Sequence, residues 1–392
     1  MDSVLQAVAE KFKKKFTERP ALILSPGRVN LIGEHTDYNE GFVLPAATDK
    51  AIVFAAAPRQ DDVCHFVSLD FGQEFRCEMD ALYRSPLRWP DYLLGVLDQM
   101  IRAGLHLRGV NCVFGGNIPI GAGMSSSAAV EAGLAFALNH LFRLGLDSRT
   151  LVKLAQKAEN EFVGVRCGVM DQFINIHGRA GTALKLDCRS LDYEYIPFEF
   201  ETLRIVVCDT LVRHELASTE YNTRRAQCEE GVSVLRGFDP SVRSLRDASL
   251  EMLADRQSAF DPVVFRRCAY VLQENRRVGE ACEALSRGDI TAFGRLMSAS
   301  HAGLRDDYEV SCPELDVLVE SASRRPGVHG SRMMGGGFGG CTINLVEDVA
   351  ISEFRRVVEG EYEAAFGKRP PVHIIRSSGG TRLLDSPQGC AS

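Results

Sequence analysis

The sequence predicts an α+β protein, and three observations lead to that class. Short apolar runs with strand character occur at Ala21–Leu24, Ala51–Ala57, Val63–Val67, Asn111–Phe114, Leu184–Asp187 and Leu203–Cys208. Apolar residues at three- and four-residue spacing, the helical period, mark 126–142 and 148–163. Near 196–210 the pattern changes and helices dominate afterwards, at Glu220–Val234, Pro262–Leu285 and Ile290–His301. That change is a candidate boundary between an N-terminal domain, 1–200, and a C-terminal domain, 201–392.

Composition bounds the class of function. A chain of 392 residues, 45% hydrophobic and 25% charged, can bury a large core. Its net charge of −7 argues against a non-specific nucleic-acid binder, whose footprint would be basic. No apolar run reaches the ~18 residues of a membrane helix, so no membrane partner is expected. Val4, Leu5, Val8, Phe12 and Phe16 form one face of a helix over 1–19. Glu10, Lys11 and Lys13–Lys15 break any signal-peptide character, and the lysines read as a solvated face. The 12 cysteines show neither Cys-x-x-Cys pairs nor zinc spacing, which fits small buried thiols in a reducing cytoplasm.

Taken in order, the first unusual stretch is 26–45. It packs Arg28, Glu34, His35 and Asp37 among glycines and a few apolar residues. Polar groups that dense, held on turns, suit a small polyhydroxylated ligand, since carboxylates accept from hydroxyls and imidazole can do either. A capped surface loop is the plainer alternative. A helix is predicted at 92–103, just after the only tryptophan, Trp89. The stretch 119–128 is a glycine loop running into a helix. Gly121 and Gly123 permit a tight turn, and Ser125, Ser126 and Ser127 are good helix starters. Such a helix end favours a phosphate, although no Gly-Lys-Ser/Thr follows to make it a Walker A loop, and an ordinary loop before a buried helix is the equal alternative.

Asp171 stands among glycine and apolar residues, and its position alone leaves a structural pair and a catalytic carboxylate equally open. Asp239–Gln257 reads as loop with one short helix, and 326–330 as a turn. In 331–340, Gly335, Gly337 and Gly340 match Gly-x-Gly-x-x-Gly. The following Cys341–Val346 is a strand, so the dinucleotide reading fails. A helix over Val349–Phe366 and a strand over Val372–Arg376 close the chain.

The three glycine-bearing stretches, 26–45, 119–128 and 331–340, together resemble the three motifs of the GHMP kinases. Pro26-Gly27-Arg28-Val29-Asn30-Leu31-Ile32-Gly33-Glu34-His35-Thr36-Asp37-Tyr38-Asn39 is similar to the signature of the family's galactokinase branch. Cys167–Gln172, Glu220–Arg225 and 300–311 extend the resemblance over nearly the whole chain.

The resemblance implies a two-lobed GHMP kinase fold, ribosomal-S5-like then ferredoxin-like, with the active site between the lobes. It implies phosphoryl transfer from ATP to the C1 hydroxyl of α-D-galactose with Mg²⁺, by a monomeric cytoplasmic enzyme. By the same resemblance Asp171 is the catalytic base and Arg28 the cation beside it. Glu34, His35, Asp37, Gly168 and Tyr221 bind the sugar, with Asp37 and Tyr221 near C3 and C4, and Glu34 and His35 near the C6 hydroxyl. Gly121, Ala122, Gly123, Met124, Ser125, Ser126 and Ser127 form the phosphate loop, and Ser127 and Glu159 are metal ligands. Trp89 and Tyr92 match positions near the base, or pack plainly.

Three departures stand out: Met334 for a usual threonine, Arg166 for a proline and Met124 for a leucine. Alternatives on the same framework are a kinase for N-acetylgalactosamine or arabinose, and a non-catalytic galactose sensor. Sensors lack a Ser-Ala pair in the phosphate loop; here Ser127-Ala128 is intact.

Overall fold

The computed structural model describes every residue except Ile120, Ala122, 213–216 and 385–392, and the side chains of all the described residues but Ala217 and Ser218. Helix α1 (Asp2–Lys15) buries Val8, Ala9 and Phe12 and ends in its three lysines, where positive charge suits the helix dipole. Strand β1 (Ala21–Asn30) runs six residues past the expected Ala21–Leu24. Its pairing register shifts between Pro26 and Arg28, a bulge where proline cannot donate to the ladder. The start of the first polar motif is therefore strand, not turn.

Next come β2 (Phe42–Val43), β3 (Pro45–Pro58), β4 (Val63–Ser68) and β5 (Gln73–Glu78). Helix α2 (Trp89–Arg102) follows, with Pro90 in its first turn where the missing N–H does no harm. Strand β6 (Val110–Gly116) then leads to α3 (Ser126–Leu141). Helix α4 (Ser148–Lys157) is capped by Asp147, whose side chain accepts from the Thr150 N–H, and continues as a π-helical turn over Ala158–Val163. Such turns recur at functional sites, and this one carries Glu159. Helix α5 (Met170–His177) and strands β7 (Thr182–Asp187) and β8 (Tyr193–Pro197) complete the first half.

The second half comprises β9 (Leu203–Asp209), α6 (Ala217–Phe238), α7 (Leu250–Asp255), α8 (Pro262–Ser286), α9 (Ile290–Asp306) and α10 (Pro313–Ser323). After these come β10 (Val328–Met334), β11 (Cys341–Glu347), α11 (Ile351–Phe366), β12 (Val372–Ile375) and β13 (Arg382–Leu384). The turn expected at 326–330 is cut short, because β10 begins at Val328 and takes the first half of the third glycine stretch with it.

The described strands form three sheets. A six-stranded sheet runs β13-β1-β3-β6-β4-β5, with β4 and β6 parallel. A four-stranded antiparallel sheet runs β10-β11-β9-β12, and β2, β7 and β8 make a small third sheet. Helices α10 and α11 cover one face of the four-stranded sheet through Leu318, Phe354, Val358 and Tyr362 against Val206, Cys208 and Val346. The largest core joins residues of both halves, from Ile23 and Phe54 to Phe293 and Ile343. The end of the chain does not stay in the second half. β13 pairs with β1, so the last described strand is built into the first sheet.

No helix among the described residues is long and apolar enough to cross a membrane. The described cysteines are free thiols.

The Asp147 cap fixes the start of the segment that delivers Glu159. Asp147→Ala is expected to cost about 1 kcal/mol, read as a lower urea midpoint with an unchanged m-value.

Candidate active site

The bulge in β1 brings Arg28 to the first turn of α5, where Asp171 is the second residue. The pair is bidentate: Arg28 Nε donates to Asp171 Oδ1 at 2.8 Å, and Nη2 to Oδ2 at 2.7 Å. Arg28 Nη1 donates to the Gly123 carbonyl, and the Ser125 hydroxyl donates to Asp171 Oδ2. Burial works against the Arg28 charge, but the attraction and hydrogen bonds of Asp171, with Glu34 and Asp37 nearby, outweigh it and raise its pKa.

A cavity of about 300 Å³ opens beside this pair. Arg28, Glu34, His35, Asp37, Gly168, Asp171 and Tyr221 all line it, so the expected catalytic and sugar-binding residues are brought together. The Glu34 carboxylate is fixed through Oε1, which accepts from the Gly335 N–H at 2.9 Å and from Arg332 Nη2 at 3.0 Å. His35 adopts a left-handed backbone, φ 63°. Its Nδ1 lies 2.8 Å from the Tyr38 hydroxyl, which in turn lies 2.8 Å from the Tyr308 hydroxyl. Burial, then the positive charge of Arg224, pushes the His35 pKa down to about 3, so the ring is neutral at physiological pH. Its Nε2 is buried without a hydrogen-bond partner, a polar atom a hydroxylated ligand could satisfy.

Asp37 is pushed up to about 7, first by burial and then by the negative charge of Asp171. A Cβ built on Gly168 would collide with the Asp37 carboxyl, so a side chain there would displace it.

A second cavity, of about 550 Å³, shares Arg28, Gly335 and Gly336 with the first. Gly121, Gly123, Met124, Ser125, Ser126 and Ser127 line it, as do Trp89 and Tyr92; Ala122 lies outside the described residues. Trp89 combines a cavity-facing position with packing. It faces the cavity, yet its indole N–H donates to Gln73 Oε1 at 2.8 Å and its ring stacks on Phe71. Ser125 corrects the expectation of a helix-capping serine. It sits at the N-cap with φ 53° and makes no cap, because its hydroxyl goes to Asp171 instead.

Ser127 hydrogen-bonds to Glu159. Gln172 Nε2 bridges two buried acids, donating to Glu159 Oε2 at 2.7 Å and to Glu131 Oε2 at 3.2 Å. Burial raises both carboxyl pKa values, and each is raised further by neighbouring negative charge, from Asp171 on Glu159 and from Glu159 on Glu131. Glu131 Oε1 is buried without a partner. Gln172 and Glu131 were not singled out from the sequence. The signal for Glu131 was an acid on an otherwise apolar helix face among Ala128, Ala132, Leu134 and Ala135. Of the departures, Met334 is buried with its sulfur accepting from the Asn30 N–H at 3.4 Å. Arg166 pairs with Glu229 at an exposed position, and Met124 packs in the main core.

Comparison with known proteins covers the whole arrangement. Residues 10–58 match the family model of the galactokinase galactose-binding signature, 91–179 that of the GHMP kinases N-terminal domain, and 281–364 that of the GHMP kinases C-terminal domain. The galactokinase of Roseiflexus sp. (strain RS-1) is 43% identical over 379 residues, covering 96% of this chain and 97% of its own. That of Chloroflexus aggregans (strain MD-66 / DSM 9485) is 43% identical over 366 residues, 93% of this chain and 94% of its own. The crystal structure of Lactococcus lactis galactokinase complexed with galactose superposes with a TM-score of 0.94 at 36% identity, over 97% of this chain and 100% of that one. The Methanococcus jannaschii mevalonate kinase, 17% identical with a TM-score of 0.64 over 92% of this chain and 99% of its own, shares the fold.

Asp37 gives a test of the site's electrostatics. Its folded pKa lies above the unfolded value, so the folded state holds the proton longer, and stability falls as pH rises from about 4 through about 7. Asp37→Asn removes that loss. Thermal scans are expected to show the variant gaining on the native protein between pH 5 and pH 8; an equal difference at both values would contradict the assignment.

Proposed function

The chain belongs to the galactokinase family of the GHMP kinases, and from that premise we propose that it transfers the γ-phosphoryl group of ATP to the C1 hydroxyl of α-D-galactose. The observation that carries the reading is the Arg28–Asp171 pair at the seam of the two cavities. One cavity is polar and sugar-sized, the other is lined by the glycine-serine loop, and Arg28 borders both. A reaction joining a sugar hydroxyl to a phosphoryl group needs its base and its cation at such a seam.

In the proposed chemistry Asp171 accepts the C1 hydroxyl proton as the oxygen attacks. Arg28, already held by Asp171, faces the charge that develops on the transferring group. The loop from Gly121 to Ser127 and the N-terminus of α3 hold the nucleotide phosphates. Such transition states are loose, so positioning and electrostatics supply most of the rate. Glu34, His35, Asp37, Gly168 and Tyr221 hold the sugar. A neutral His35 can accept or donate through Nε2, and the Asp37 carboxyl can take hydroxyl protons in hydrogen bonds.

Among the described residues no three His, Cys, Asp or Glu side chains converge as a metal cage. Two oxygen ligands, Ser127 and Glu159, beside a second buried carboxylate with an unpartnered oxygen, nevertheless fit Mg²⁺, which usually takes one or two carboxylates plus substrate phosphates. When bound, the ion neutralises phosphate charge; Ser127 and Glu159 would hold it.

We read 1–200 and 201–392 as the two lobes, with the site between them and the last described strand returned to the first. A monomer in the cytoplasm without nucleic-acid partners is the accompanying reading; the net charge of −7 supports its nucleic-acid part. The alternatives are less favoured: the matched signature is that for galactose, and Ser127-Ala128 and Asp171 are all present.

Asp171→Asn is expected to lower turnover by at least about a thousandfold while galactose still binds, measured by a coupled ADP assay and by calorimetry. Near-normal turnover would remove Asp171 from the role of base. Phosphorus NMR of the product from galactose and ATP should show phosphate on C1; phosphate on C6 would overturn the reading. In a panel with N-acetylgalactosamine and arabinose, galactose is expected to give the highest kcat/KM.

A further inference from the structure

Arg332 lies in β10, at the start of the third glycine stretch, and its side chain is fully buried. Every recorded hydrogen bond of its guanidinium runs to the first or third motif. Nε donates to the Leu31 carbonyl at 2.8 Å, and Nη2 to the Asn30 carbonyl at 2.5 Å. Nη1 donates to the Met333 carbonyl at 2.8 Å, and Nη2 also reaches Glu34 Oε1 at 3.0 Å. A buried cation needs a counter-charge and filled hydrogen bonds, and among these acceptors Glu34 is the only anion. The fork is planar, so acceptors on residues 30, 31 and 34 must keep a fixed relation to one another.

The consequence falls on Glu34. Its Oε1 is taken by Arg332 and by the Gly335 N–H at 2.9 Å, and Tyr270 donates to its backbone carbonyl at 3.1 Å. With Oε1 and the backbone fixed, the plane of the carboxylate is set, and Oε2 is the oxygen left for a ligand in the sugar-sized cavity. We infer that Arg332 is a positioning residue for sugar recognition: it holds the Glu34 carboxylate in one orientation and thereby sets the preference for a sugar that carries a hydroxyl at C6. This rests on the reading of Glu34 as a C6 contact, taken from the family resemblance.

The test compares kcat/KM for galactose and for 6-deoxygalactose in the native enzyme, Glu34→Gln, Arg332→Met and the double variant. A ratio of two substrates in one preparation does not depend on how much protein is folded. Arg332→Met is expected to shrink the preference for galactose about tenfold, through KM more than kcat, as loss of one hydroxyl-reading contact would. The double variant is expected to show no further loss beyond Glu34→Gln, because both changes remove the same contact. A native ratio in Arg332→Met alongside a reduced one in Glu34→Gln would overturn the positioning role, as would losses that multiply. A native ratio in Glu34→Gln would overturn the inference by a different route, showing that Glu34 does not read C6. Should Arg332→Met not fold, Arg332→Lys keeps the charge without the planar fork, and the double variant leaves no unpaired buried charge; the same shifts are expected from both.

Discussion

The site depends on one ion pair, between a buried Arg28 and a half-buried Asp171. The two meet through two parallel hydrogen bonds, and each also ties down the glycine-serine loop, Arg28 at the Gly123 carbonyl and Asp171 at the Ser125 hydroxyl. A strand, a loop and a helix far apart in sequence are thus fixed around one contact. Removing Asp171 leaves the buried Arg28 charge unpaired, which costs up to about 3–5 kcal/mol; removing Arg28 costs less, since water reaches Asp171. The bulge at Pro26–Arg28 is what lets β1 take part: it interrupts the ladder where the side chain must leave the sheet toward α5.

Around this pair the site carries more acid than base. Glu34, Asp37, Asp171 and Glu159 all line the sugar-sized cavity, and Glu131 lies behind, bridged to Glu159 by Gln172. Burial and mutual repulsion raise Asp37, Glu159 and Glu131 together. An excess of buried carboxylate is costly, and under the proposed function hydroxyl donors and a divalent cation would relieve it. His35 stays neutral beside these acids because burial, and then the positive charge of Arg224, hold its pKa down.

Much of the site was legible in the sequence because its chemistry is concentrated in short stretches. Arg28, Glu34, His35 and Asp37 lie within ten residues, and the glycine-serine loop is contiguous. What was not legible has physical reasons. Helix α5 spans 8 residues, too short for a period to show, so the sequence places Asp171 on no element. Strand β5 is exposed along most of its length, and its alternation carries few apolar residues. In the third stretch Arg332 precedes the glycines and carries no local motif. Yet an arginine among buried strand residues is a sign of a specific partner, here Glu34, 298 positions away in the chain. No local pattern can report a contact of that separation.

The phosphate loop shows the limit most clearly. Three serines before a helix read as caps, and capping would direct their hydroxyls to the helix's own first N–H groups. In the fold Ser125 takes a left-handed conformation and gives its hydroxyl to Asp171, while Ser127 gives its own to Glu159. The strain of φ 53° at a non-glycine residue, about 1 kcal/mol, is offset by that charge-assisted bond. The Gly123 and Met124 carbonyls accept from Arg28, and the Ser125 and Ser127 hydroxyls go to the acids. The backbone N–H groups at the start of α3 then remain the natural donors for an anion. Under the proposed function one short segment would hold phosphate and orient the base at the same time, because the two tasks draw on different atoms of it.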